Sequence, residues 1–83
     1  MFSNNKEFFA FINSLIKKLD AAEEKEWSSS FKRAMGMSQV PGEVFGALRI
    51  VMRDFNKSQV PAKLNMEEEI KTTLETLEGI FKH

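Results

Sequence analysis

The 83-residue chain reads as all-α, a compact four-helix, bundle-like single domain over residues 1–83, and three observations predict it. Apolar side chains recur at three- and four-residue spacing through four separate stretches. The strong helix formers Leu, Ala, Glu, Lys and Met are plentiful, with only 4 Gly and 2 Pro to interrupt them. No stretch sustains the strict apolar/polar alternation of a half-buried strand, and β-branched residues are few.

The first helix is expected to start behind Asn4, whose side-chain oxygen suits an orphan backbone amide, with Glu7 three residues on. Its Phe8, Phe9, Phe11, Ile12, Leu15, Ile16 and Leu19 fall within about 160° of arc at 100° per residue, wide enough for a central helix. The second, from Asp20 to Met35, opens on the same signature, Asp20 with Glu23, and offers Trp27, Phe31, Ala34 and Met35 to a core. Gly36 stands where a glycine would stop it.

The third helix starts at Val40-Pro41, because a residue before proline avoids the helical region while proline suits a first helical position. Glu43 then lies near the positive end of the helix dipole, and Val44, Phe45, Leu48, Val51, Met52 and Phe55 share one side. A longer connection, Lys57 to Leu64, leads to the fourth helix, marked by Asn65 with Glu68. That helix carries Met66, Ile70, Leu74, Leu77 and Phe81 inward, with Ile80 at the margin. The tetrapeptide Ser-Gln-Val-Pro occurs at 38–41 and again at 58–61. Since the flanks differ, it reads as two similar helix-start loops, not a duplicated hairpin.

The side chains that most often carry chemistry near neutral pH are scarce. There is no Cys and no Tyr, the single His is the final residue His83, and neither a phosphate-cradling glycine run nor a metal-ligand cluster is present. The expectation is a non-enzymatic protein with no cofactor and no metal. Without disulfides the domain must be held by packing alone, which fits a reducing compartment and points to the cytoplasm. No stretch approaches the roughly 20 apolar residues of a membrane span, and Lys6, Glu7, Lys17 and Lys18 break up the N-terminal hydrophobes that a signal peptide would need. A core this small buries roughly 60 to 65% of its extended-chain surface, so a monomer or a weak homodimer is expected.

Binding is therefore sought in the charge pattern. Residues 27–63 carry Lys32, Arg33, Arg49, Arg53, Lys57 and Lys63 against Glu43 and Asp54, a net +4, whereas residues 64–83 carry five Glu against Lys71 and Lys82, a net −3. Two faces follow. One is acidic: Glu67, Glu68, Glu69 and Glu75, joined by Glu24 of the second helix, suited to steering a basic protein partner. The other is Arg49, Ile50, Arg53 and Lys57 on the outer side of the third helix, beside Gly46. Its arginines suit carboxylate or phosphate and would serve a DNA-binding regulator, a reading weakened by the zero net charge. The structural alternative for that strip is that Gly46 admits a neighbouring helix, Ile50 packs on it and the arginines pair with the acidic last helix. Trp27 and the 8 Phe are assigned to the core.

The segment Met37-Ser38-Gln39-Val40-Pro41-Gly42-Glu43-Val44-Phe45-Gly46-Ala47-Leu48-Arg49 resembles a helix start in short bacterial helical proteins. In size and helicity the whole chain is similar to the compact helical immunity proteins that accompany interbacterial toxins. The resemblance implies a protein that blocks one cognate toxin, often a nuclease, by binding it; it assigns no binding residue. The expected function is protein–protein binding of an inhibitor or immunity type, with a small DNA-binding regulator or a self-associating bundle as the alternatives.

Overall fold

A computed structural model describes residues 5–81, so the expected Asn4 cap and His83 lie outside the described residues. The protein is all-α. Its helices are α1 (Asn5–Ala21), α2 (Lys25–Gly36), α3 (Pro41–Lys57), α4 (Val60–Lys63) and α5 (Glu67–Ile80). The described residues contain no strand, and none of their helices is long and apolar enough to cross a membrane. The chain groups into two compact units, residues 1–33 and 34–83, with the boundary inside α2.

In the first unit, α1 buries Phe8, Ile12, Leu15, Ile16 and Leu19, a helical stripe narrower than the one read from the sequence. Phe9 and Phe11 stay half-buried, with the Phe9 ring edge-on to Phe8 at 5.8 Å. In α2, Phe31 is fully buried and Trp27 only half-buried.

The Asp20 cap is corrected by the structure. Asp20 belongs to the last turn of α1, and α2 begins only at Lys25. The amide of Glu23 bonds the Asp20 carbonyl at 3.1 Å and that of Glu24 bonds the Leu19 carbonyl at 2.9 Å, with Glu23 in the left-handed region at φ 62°. This pattern closes a helix C-terminus by satisfying its last carbonyls, and it leaves no room for a capping box at Asp20. The Asp20 carboxylate instead accepts a hydrogen bond from the Ser28 hydroxyl and pairs with Lys32 Nζ at 3.3 Å. Ser28 is 1% exposed, so Asp20 supplies the acceptor that its buried hydroxyl requires. The Ser28 hydrogen bond, and after it Lys32, holds the Asp20 carboxyl below the usual range.

In the second unit, Pro41 opens α3 behind an extended Val40 (φ −91°, ψ 114°), as the sequence predicts. The two Ser-Gln-Val-Pro copies do the same local work. Ser38 Oγ accepts the Val40 amide at 3.0 Å, and Ser58 Oγ accepts the Val60 amide at 3.3 Å. Each serine thus bends the chain into a helix start. The first start propagates for 17 residues. The second yields α4, a single turn within the stretch read as a connection.

Asn65 ends that turn. It sits at φ 56°, its amide bonds the Ala62 carbonyl at 3.1 Å, and the Met66 amide bonds the Pro61 carbonyl at 2.8 Å. Asn65 is therefore a C-terminal left-handed residue, not the expected N-cap of the next helix, whose cap position is held by Met66 without a side-chain bond. Gly36 likewise departs from expectation: it is the last residue of α2, and no described glycine has a positive φ.

The apolar stripes of α3 (Val44, Phe45, Leu48, Met52, Phe55) and α5 (Ile70, Leu77) are buried, and Met66 with them. Thr73 is buried too, with its hydroxyl donating to the Glu69 carbonyl at 2.7 Å. Val51 and Leu74 are half-buried, while Phe81 is 40% exposed, outside the core it was expected to join.

Candidate functional site

Helices α3 and α5 run antiparallel, since Arg49 and Arg53 meet Glu78 near the end of α5 while Asn56 lies with Glu67, Glu68 and Lys71 near its start. Along α3, Arg49, Arg53 and Asn56 follow one another at helical spacing. Along α5, Glu67, Lys71 and Glu78 do the same, so all six border one seam.

At one end of the seam two guanidinium groups share one carboxylate oxygen. Arg49 Nε lies 3.2 Å and Arg53 Nη2 2.8 Å from Glu78 Oε1. Arg53, then Arg49, holds the Glu78 carboxyl below its ordinary value by hydrogen bonding the charged form. The Arg49 guanidinium also stacks 5.1 Å from the centre of the Phe81 ring, a cation–π contact that accounts for a half-exposed aromatic. A Cβ on Gly46 would stand 3.9 Å from that ring, ordinary contact, so the glycine is not what lets α5 approach.

At the other end the carboxylates are exposed. The carboxylates of Glu67, Glu68, Glu69 and, further along, Glu75 make no ion pair and no hydrogen bond among the described residues. Asn56, Ser58, Pro61, Ala62, Glu67, Glu68 and Lys71 line an open depression of about 330 Å³. The first turn of α5 favours negative charge through its unbonded amides, which explains one or two acidic residues there. Three consecutive ones and an unpaired Glu75 on a later turn exceed that need.

Of the residues predicted for a site, Glu67, Glu68 and Glu69 therefore share the first turn of α5, while Glu75 is exposed about two turns further along, nearer to Glu78. Glu24 does not join them: it lies in the turn between α1 and α2, in the other unit, where its amide closes α1. Of the alternative strip, Arg49 and Arg53 are engaged by Glu78, as the structural alternative anticipated. Ile50 is 63% exposed and does not pack on a neighbouring helix, against that same expectation. Lys57 is exposed at the last position of α3. The reading from sequence missed Asn56, Ser58, Pro61, Ala62 and Lys71, because the depression needs the one-turn α4 to carry Pro61 and Ala62 against the start of α5. The usable signal was the second Ser-Gln-Val-Pro copy, which marks a helix start there too.

No family model matches the chain, and neither does any curated protein or solved structure.

Proposed function

We propose that the protein is a non-enzymatic binding module that recognises a basic protein partner through the acidic start of α5. The observation that carries this reading is the unequal engagement of charge in the second unit: Arg49 and Arg53 are taken up by Glu78, whereas Glu67, Glu68, Glu69 and Glu75 are exposed and unpaired among the described residues. Exposed, unpaired carboxylates set a negative field that speeds encounter with a basic surface. The depression beside Glu67 and Glu68 offers a recess for a partner's Lys or Arg side chain.

The most specific version is an inhibitor of immunity type acting in the cytoplasm on a basic toxin, a nuclease among the candidates. That version draws on the resemblance in size and helicity and on the Cys-free composition. Reading DNA through Arg49 and Arg53 is disfavoured, since their hydrogen-bond donors face a carboxylate of the same chain.

Affinity purification of the full chain from its source cells, followed by mass spectrometry, tests the reading. The expected result is a basic protein retained by the wild type and lost when Glu67, Glu68, Glu69 and Glu75 are all changed to Gln. Duplex-DNA binding with a steep salt dependence, weakened by Arg49→Ala, would overturn it in favour of the regulator.

A further inference from the structure

The chain has no Cys, so the thioethers of its 5 Met are the only sulfur it offers to an oxidant. Met1 lies outside the described residues, and the other four sit in unlike surroundings. Met52 in α3 is 0% exposed and Met66 at the start of α5 is 3% exposed, whereas Met35 is half-buried in the last turn of α2. Met37 is 59% exposed, in the link between α2 and α3. The space beside it is open: a Cβ on the adjacent Gly36 would meet nothing within 4 Å beyond its own helix and chain neighbours.

A peroxide must reach the sulfur to oxidise it, so access sets which thioether reacts. The sulfur lone pair forms the new S–O bond as the O–O bond breaks, and the proton on the transferred oxygen passes to the departing hydroxide, which leaves as water. Sulfur gives up two electrons and the peroxide accepts them. The product is methionine sulfoxide, which sulfoxide reductases return to the thioether. Its polar S–O group has opposite consequences at the two kinds of position. In the core, at Met52 or Met66, it would be a strong acceptor with no donor provided for it. At Met37 water solvates it. We propose that Met37 is a modification site, the described methionine on which a peroxide acts first, and that its oxidation leaves the fold intact. No residue of the acidic start of α5 takes part, so the site is independent of the binding proposed above.

Treating the folded full chain with dilute hydrogen peroxide, and following each methionine by tandem mass spectrometry of tryptic peptides, tests it. Met35 and Met37 share the peptide 34–49 and are separated by their fragment ions. The expected result is that Met37 gains one oxygen about tenfold faster than Met52 or Met66, with Met35 between them. In concentrated urea the four rates converge, because only burial sets them apart. Protein oxidised at Met37 alone keeps the helical circular dichroism and the urea midpoint of the untreated chain. Oxidation of Met52 or Met66 as fast as Met37 in the folded state, a difference that persists in urea, or a lowered midpoint after oxidation of Met37 each overturns the proposal.

Discussion

The two ends of α5 hold their carboxylates in opposite circumstances. Near its last turn, Glu78 serves two arginines of α3, and Arg49 in turn covers Phe81. In its first turn, Glu67, Glu68 and Glu69 face solvent, and Glu75 does so further along. Five acidic residues on one short helix thus divide into one that ties the fold and four that do not, and only the second group is available to a partner. Changing the first should move stability, and changing the second should move binding.

The largest effect removes what both ends stand on. Leu77 is fully buried on α5, so Leu77→Ala should lower stability by about 2–5 kcal/mol, read by urea denaturation, and loosen both ends together. Next comes Glu78→Gln, which keeps the shape and removes the charge that Arg49 and Arg53 share. It should lower the urea midpoint at neutral pH. Because the folded state holds this carboxyl below its ordinary value of 4.5, its contribution is complete above about that pH and is lost as pH falls through the folded value. The gap between wild type and variant should therefore close in strong acid; a gap that persists there would mean that shape, not charge, was lost.

The acidic end should respond far less. Changing Glu67, Glu68 and Glu69 together to Gln weakens the dipole interaction while relieving mutual repulsion, for a net loss of about 0.5–1 kcal/mol by the same measurement. The smallest effect has the opposite sign. Gly46 lies inside α3 with space for a methyl group beside Phe81, so Gly46→Ala should raise stability by about 0.5 kcal/mol, read as a small upward shift in melting temperature.

The apolar stripes were legible in the sequence because burial imposes the helical period on every packed helix: Ile12, Leu15, Leu48, Met52, Ile70 and Leu77 are all buried as read. The helix ends were less so. Asp and Asn suit an N-cap and a left-handed C-terminal residue through the same short polar side chain, and between helices only a few residues apart local pattern does not separate the two roles. Asp20 and Asn65 were misplaced for that reason. A helix of one turn, α4, lies below any periodic window. The pairing of Arg49 and Arg53 with Glu78 joins residues 25 and 29 positions apart, so it depends on the antiparallel packing of α3 and α5. Opposite net charges on the two segments hinted at such a pair without saying which of the five glutamates would make it.

The most direct measurement titrates the retained partner, by calorimetry or surface binding, with two variants that differ only in which end of the seam they alter. Glu67→Gln combined with Glu68→Gln should slow association and weaken affinity by about tenfold or more, while Arg53→Gln should leave both near wild type. If Arg53→Gln abolishes binding and the glutamate variant binds as the wild type does, the acidic start of α5 is not the binding surface.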